Sequence, residues 1–97
     1  MDFELDLTEI AQQTIDELKK KDTKKYRKVK KTLGLMEVNL RHQSLKTHKY
    51  NNYPGFEKQE IFESYVENST PGAFRVFWCY SSSEKGVITI LAITSHP

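Results

Sequence analysis

The chain has 97 residues, of which 37% are hydrophobic and 29% charged, and its formal net charge at pH 7 is +2. This length provides one domain over residues 1–97 with a modest core and excludes a second domain, while no apolar stretch approaches the roughly 18 residues that cross a membrane. Because the N-terminus is acidic and a single cysteine forms no internal disulfide, the sequence predicts a cytoplasmic protein without a secretory signal.

The first twenty residues predict a strand followed by a helix. Apolar and acidic side chains alternate over residues 2–7, which is typical of a half-buried strand because successive side chains point to opposite faces. Thr8 is a suitable N-cap, and apolar residues recur at helical spacing from Ile10 to Leu18. We therefore expect a first helix over about residues 8–20.

A second amphipathic segment follows the first helix directly. Asp22 and Thr23 offer a capping position, and apolar residues then recur at intervals of three and four as far as Leu40. The linker is so short that the two helices must fold back as an antiparallel hairpin. We expect their apolar stripes to cover one face of a sheet and their lysines to face water.

Positive charge is concentrated on this helical hairpin. Nine of the 15 basic residues lie between Lys19 and Lys31, and only Asp22 opposes them in sign there. Such a cluster produces a local positive field that attracts a polyanion such as RNA, with Lys24, Lys28 and Lys31 as candidate contacts. The alternative is a solvated helical face whose lysines only maintain solubility.

Helical periodicity ends in residues 41–55, where cations and aromatic rings are interleaved in a polar segment. Leu45 is a candidate anchor onto the core. Long irregular segments in compact domains tend to be functional or mobile, and in a nucleic-acid groove cations hold phosphates while rings stack on bases. The candidates for such contacts are Arg41, His42, Lys46, His48, Lys49, Tyr50 and Tyr53. The alternative is a hydrated loop without a specific role.

The remainder of the chain predicts three antiparallel strands. Residues 59–67 have a strand pattern, turn residues follow, and the β-branched and aromatic runs 73–80 and 87–93 have the spacing of a hairpin. The predicted fold is therefore α+β, in the order β-α-α-β-β-β, with a four-stranded, mostly antiparallel sheet and a helical hairpin packed on one face. The other face is expected to be open.

Arg75 is a cation inside the central apolar hairpin. Strand alternation places it on the same face as Phe77 and Cys79. It either reaches the rim of the sheet and pairs with a carboxylate such as Glu63, or it marks an anion-binding surface. Cys79 itself is expected to be a small apolar filler without reactivity.

The sequence contains no recognised metal or phosphate-loop motif. His42, His48 and His96 are not spaced as metal ligands, and the four glycines form no nucleotide-binding fingerprint, so no cofactor is expected. The remaining candidates are cations and imidazoles: Arg75, Lys46, His48 and His96. Such groups suffice to cleave RNA, because cations stabilise the phosphorane-like transition state and an imidazole transfers protons near neutral pH. A terminal histidine such as His96 is otherwise simply exposed to solvent.

The order of these features resembles the RelE/ParE superfamily of toxins from type II toxin–antitoxin systems, over essentially the whole chain. The resemblance rests on the first strand and the basic helical hairpin, on Arg41–His48, on Pro71–Trp78 with its Phe-Arg-Val strand after a glycine turn, and on the apolar strand Ile88–Ile93 followed by His96. It implies a RelE-like fold. RelE-like and YoeB-like members cleave mRNA in the ribosomal A site, ParE-like members act on DNA gyrase, and both are neutralised by an antitoxin.

The resemblance assigns roles to three residues. Arg75 matches the strand arginine with which RelE-like nucleases hold the scissile phosphate, His96 lies near the C-terminal position that serves as acid, and Lys46 matches a loop lysine that touches RNA. These matches favour a metal-independent, ribosome-dependent mRNA endonuclease with an antitoxin as partner. The alternative is a non-catalytic binding protein of the same fold, either a gyrase inhibitor or an inactive toxin-like protein.

The sequence also departs from the family pattern. Glu63 and Tyr65 stand where RelE carries catalytic lysines, and Gln43 stands where YoeB-like members carry a loop glutamate. Glu63 is a candidate replacement for the missing base, with His48 as a second proton carrier. A strand glutamate that only pairs with Arg75 explains the same residue without catalysis.

Overall fold

The computed structural model describes residues 2–95, which form a five-stranded mixed sheet with two helices packed on one face. The elements in chain order are β1 (Glu4–Leu7), α1 (Glu9–Lys21), α2 (Thr23–Val38), a 3₁₀ turn (Gln43–Leu45), β2 (His48–Lys49), β3 (Phe62–Tyr65), β4 (Phe74–Tyr80) and β5 (Val87–Ser95). The strand order is β1-β5-β4-β3-β2, with β1 parallel to β5 and the other neighbours antiparallel. Within this range, neither helix combines the length and apolar character that a membrane span requires.

The α+β class and the helical hairpin are confirmed, but the prediction of four strands is wrong. The additional strand is β2, a two-residue segment that pairs antiparallel with β3 and places His48 opposite Glu63. Two residues are too few to show strand alternation, so in the sequence this segment is indistinguishable from an irregular loop. Strand β3 is also shorter than predicted, Phe62–Tyr65 instead of 59–67.

Both helices begin at the predicted capping residues. Thr8 Oγ1 accepts a hydrogen bond from Ala11 N at 3.2 Å, and the Asp22 carboxylate accepts one from Lys25 N at 3.1 Å. Asp22 also ends α1, because its own N–H donates to Leu18 O at 2.8 Å. A single residue thus joins the helices, which forces them to fold back on each other.

The main core lies between the helical hairpin and the sheet. It contains Ala11, Ile15, Val29, Leu33, Met36, Leu40, Leu45, Val76, Trp78, Ile88, Ile90 and Ile93. Leu45 is 1% exposed, which confirms it as the anchor of the loop. The indole Nε1 of Trp78 donates to Ser64 Oγ at 2.8 Å, so the largest buried ring leaves no polar atom without a partner.

The opposite face of the sheet is only partly open, contrary to the prediction. Residues 50–61 fold over it and form a second cluster in which Tyr50, Tyr53 and Phe56 pack against Ile61, Cys79 and Leu91. These rings are separated by polar residues without strand or helix periodicity, so the sequence gives no sign that they form a core. Burial raises the pKa of the Cys79 thiol, in keeping with its predicted role as a filler.

Glu67 links α2 to the connection between β3 and β4. Its carboxylate lies 3.3 Å from Lys25 Nζ and 3.2 Å from Lys28 Nζ, and it accepts a hydrogen bond from Phe74 N at 3.2 Å. Burial acts to raise the pKa of Glu67, but the Phe74 hydrogen bond and the two lysines outweigh it, so the pKa lies below its ordinary value of 4.5. One carboxylate therefore holds the basic helix against the sheet.

Glu67→Gln is expected to lower the free energy of unfolding at neutral pH by about 1 kcal/mol, because it removes two ion pairs that solvent partly screens. The folded-state pKa of Glu67 is depressed, so this stabilisation is present above the ordinary value of 4.5 and is lost as the pH falls through the folded-state pKa. Urea unfolding of both proteins from neutral to acidic pH measures the difference. The exposed Glu57→Gln is the control, and a difference that stays constant at acidic pH would contradict the assignment.

Candidate active site

The strand register brings together the polar residues of the sheet face that lies away from the helices. Strands β3 and β4 pair Tyr65 with Arg75 and Glu63 with Phe77, and β2 pairs His48 with Glu63. Directly opposed residues of an antiparallel pair share a face. The side chains of Tyr65, Arg75, Glu63 and His48 therefore form one group, which we call the polar cluster.

Glu63 is the buried centre of the polar cluster, with 1% of its side chain exposed. Its Oε1 lies 2.7 Å from His48 Nε2, and Nδ1 of the same ring lies 2.9 Å from the backbone carbonyl oxygen of Lys46. Because a carbonyl only accepts, Nδ1 carries a hydrogen, and the contact with Glu63 holds one further proton, on Nε2 or on the carboxyl group. The imidazole is therefore held in one orientation, with Nε2 directed at the buried carboxylate.

Arg75 is more enclosed than the sequence predicts, with 12% of its side chain exposed. Its Nη1 donates to the backbone oxygens of Glu67 at 3.0 Å and Phe74 at 3.2 Å, and its guanidinium carbon lies 3.7 Å from the centroid of the Tyr65 ring. Its Nε lies 3.9 Å from Glu63 Oε2 and has no hydrogen-bond partner. The pairing of Arg75 with Glu63, one of the two alternatives offered by the sequence, is thus a long contact of 3.9 Å. The guanidinium is held in place by its contacts with the two carbonyls and Tyr65.

Tyr65 is the ring around which the cations gather. Besides Arg75, Lys46 Nζ lies 5.8 Å from its centroid, and the His48 ring packs against its edge at 6.0 Å. Lys46 ends the 3₁₀ turn with φ 47°, in the left-handed region. Two cations and an imidazole around one aromatic ring form a positive site of a kind that suits a phosphate group.

The basic helix borders the polar cluster. Lys28 and Lys31 line a groove of about 330 Å³ together with Tyr65. Lys28 also pairs with the carboxylate of Glu67, whose backbone oxygen accepts a hydrogen bond from Arg75, so this part of the helix lies near the polar cluster. Lys24, the third helical lysine predicted as an RNA contact, is exposed on α2.

Two residues of the loop that were predicted as RNA contacts, Lys49 and Tyr50, are not part of the polar cluster. Lys49 Nζ forms an exposed ion pair with Glu60 at 2.6 Å. The Tyr50 ring packs edge-on against Phe77 at 5.0 Å and is part of the second cluster. Tyr50 thus contributes to the packing that covers the sheet and Lys49 forms a surface ion pair, and the sequence pattern reveals neither contact.

Two further candidates, Arg41 and His42, lie outside the polar cluster. Arg41 lines a groove with Trp78 on the helical side of the sheet. His42 accepts a hydrogen bond at Nδ1 from Ser44 N at 3.1 Å and so caps the 3₁₀ turn. His96, the predicted acid, lies outside the described residues. Among residues 2–95, no group of three His, Cys, Asp or Glu side chains could hold a metal ion.

The architecture matches solved structures, although no family model matches the chain and no curated protein matches it by sequence. The YoeB dimer of Staphylococcus aureus superposes with a TM-score of 0.66 at 13% identity over 100% of both chains. The E. coli DinJ-YafQ toxin-antitoxin complex matches with a TM-score of 0.65 at 14% identity over 99% of this chain and 94% of that chain. A copper-bound mutant toxin from Helicobacter pylori matches with a TM-score of 0.55 at 16% identity over 99% and 96%.

The chain has the fold of the RelE/YoeB-type toxins. The resemblance read from the sequence is confirmed at this level, because the matches extend over almost the whole of each chain. At sequence identities of 13% and 14%, the similarity establishes the fold but not the function of individual residues. The role of each residue on this RelE-like fold therefore has to be argued from its own chemistry.

The central position of Tyr65 in the polar cluster was not predicted from the sequence. In the sequence this residue is only a departure from the family pattern, although it lies two positions after Glu63 and shares its strand face. The spacing of two residues along the strand could have indicated that Tyr65 and Glu63 share a face. The contact with Arg75 depends on the register between β3 and β4, which the turn at 68–72 alone does not define.

Proposed function

We propose that the chain is a RelE/YoeB-like toxin that cleaves mRNA on the ribosome and so inhibits translation. The observation that carries this proposal is the convergence of Arg75, Lys46, His48 and Glu63 around Tyr65. These side chains supply the positive charge and the proton carrier that RNA cleavage by a 2′-hydroxyl requires. The fold shared with YoeB and YafQ toxins supports the same conclusion.

In the proposed reaction the 2′-oxygen attacks phosphorus, a P–O2′ bond forms and the P–O5′ bond breaks. The 2′-hydroxyl loses its proton to solvent water, the 5′-oxygen gains one from His48, and the products are a 2′,3′-cyclic phosphate and a 5′-hydroxyl. Negative charge grows on the non-bridging oxygens, where Arg75 and Lys46 stabilise it. The contacts of Arg75 with two backbone carbonyls and Tyr65 orient the guanidinium before substrate binds, which lowers the cost of reorganisation.

His48 is the proposed proton carrier for the leaving 5′-oxygen. About half of its side chain, 48%, is exposed, and its Nε2 lies 2.7 Å from Glu63 Oε1. Glu63 is 1% exposed, so its proposed role is to position and charge His48 rather than to touch RNA. His96 remains a second candidate for the same proton transfer.

The proposed partners follow from charge and fold. Lys24, Lys28 and Lys31 form part of the basic helical surface that would contact ribosomal RNA, since such clusters attract polyanions. One of the matching structures is a toxin-antitoxin complex. We propose that a cognate antitoxin neutralises this chain as well.

The proposal is tested by adding the purified protein to a reconstituted translation reaction and mapping the 5′ ends of the mRNA. We expect cuts at codons in the ribosomal A site, with 2′,3′-cyclic phosphate ends, and no cleavage of the same mRNA without ribosomes. Intact mRNA in a reaction that contains folded protein would overturn the nuclease assignment. Measuring gyrase supercoiling in parallel tests the gyrase alternative.

One observation favours the second candidate, a non-catalytic protein of the same fold. Glu63 contacts His48 and faces Arg75 Nε, so a carboxylate lies close to the cations that would otherwise hold a phosphate. In an inactive protein this arrangement would simply compensate charge. The two candidates differ in the translation reaction, because only the nuclease produces new mRNA ends.

A further inference from the structure

A cavity of about 540 Å³ opens beside the polar cluster. Its lining combines aromatic rings with amide and hydroxyl groups, and consists of Tyr50, Asn52, Tyr53, Pro54, Phe77, Thr94 and Ser95. The volume lies within the range of about 300–1,000 Å³ that is usual for pockets that bind small organic groups. Aromatic rings together with a few polar side chains suit a planar heterocycle.

Strand geometry places this cavity next to Arg75. Thr94, which lines the cavity, is the β5 partner of Arg75, and Phe77 follows Arg75 by two residues on the same face of β4. Two residues along a strand span about 6.6 Å. A phosphate held at Arg75 is therefore within one nucleotide's reach of the cavity.

We propose that this cavity receives a nucleobase of the RNA strand whose phosphate Arg75 binds. Tyr53 provides the stacking surface, and Asn52 presents a donor and an acceptor to the base edge, as in other single-stranded RNA sites. The inference rests on the proposed function, because it takes Arg75 as the phosphate contact. It adds a specificity site on the loop 50–55, away from the acid and base groups.

The loop that carries Tyr53 and Asn52 is held in a defined conformation by its own contacts. Tyr53 is surrounded by the rings of Tyr50, Phe56 and Phe77, with centroids 6.2, 5.7 and 5.7 Å away. Asn52 has φ 66°, a left-handed conformation that asparagine tolerates better than most residues. Because the ring and the turn are held before binding, little conformational entropy is lost when a base enters.

The inference is tested with 2′-O-methyl RNA trinucleotides, which cannot be cleaved, by calorimetric titration of the full chain. The four bases and an abasic residue are compared at the position next to the bound phosphate. For the wild type, we expect loss of the base to weaken binding about tenfold, the size of one base–aromatic stack. Tyr53→Leu is expected to bind all trinucleotides as weakly as the abasic one, and Tyr53→Phe to restore the difference.

Two matched variants separate the cavity from the rest of the surface. Asn52→Gly keeps the left-handed backbone, so it should reduce discrimination among bases while leaving the stacking contribution. Tyr80→Leu removes a tyrosine ring that is 50% exposed and does not line the cavity, and it should bind like the wild type.

The outcomes distinguish this inference from the proposed function. Binding that depends on Arg75 but is equal for base and abasic trinucleotides overturns the nucleobase site and leaves the nuclease proposal standing. Binding that is insensitive to Arg75→Gln, or the absence of any binding, overturns the nucleobase site, whereas the nuclease proposal is decided separately by the translation reaction. Base-dependent binding that Tyr53→Leu leaves unchanged places the base elsewhere and also overturns the inference.

Discussion

Arg75→Ala is expected to reduce mRNA cleavage by about 100-fold or more, the usual effect of removing a preorganised group that stabilises transition-state charge. Its guanidinium is held by the carbonyls of Glu67 and Phe74 and by the face of Tyr65, so no other side chain can take its place. The measurement is the rate at which new 5′ ends appear in the translation reaction. Expression of the variant should also fail to arrest growth.

Arg75→Lys tests whether charge alone is sufficient. A lysine keeps the positive charge but cannot stack flat on Tyr65 while it donates to two carbonyls, so we expect only partial recovery. Lys85→Ala, in the exposed turn between β4 and β5, is the control and should cleave like the wild type. A folded Arg75→Ala protein, verified by thermal unfolding, that cleaves within about threefold of the wild-type rate would refute the proposed mechanism.

Glu63→Ala is expected to lower the free energy of unfolding by about 3 kcal/mol, because removing one partner of a buried ionic group leaves the other charges uncompensated. Glu63 is 1% exposed, contacts His48 at 2.7 Å and lies 3.9 Å from Arg75 Nε. Urea denaturation measures the loss. A change below about 1 kcal/mol would mean that Glu63 contributes no more than an exposed carboxylate.

Glu63→Gln separates the two candidate functions. The glutamine keeps the shape and an acceptor for His48 but carries no negative charge. If Glu63 positions and charges His48 for catalysis, cleavage falls while the fold is retained. If Glu63 only compensates Arg75, its replacement frees the cations, and phosphate binding becomes tighter. Glu60→Gln removes an exposed carboxylate from the ion pair with Lys49, and it is the matched control.

Local interactions explain why the helical part was predictable from the sequence. The caps at Thr8 and Asp22 act within one helical turn, and the apolar stripes repeat with the helical period, so both signals lie within short windows. The hairpin of β4 and β5 follows for the same reason, since strand composition and a short polar turn are local features. The helices and strands that supply the main core were therefore correctly placed.

The sequence alone determined the α+β class, the helical hairpin, the basic surface on it and the presence of Arg75 on the sheet face away from the helices. Only the tertiary structure decided that β2 joins the sheet, that Tyr50, Tyr53 and Phe56 cover part of the face expected to be open, and that Tyr65 collects Arg75, Lys46 and His48. These features depend on contacts between residues distant along the chain. Cross-strand register and loop packing specify them, and neither leaves a periodic signal in the sequence.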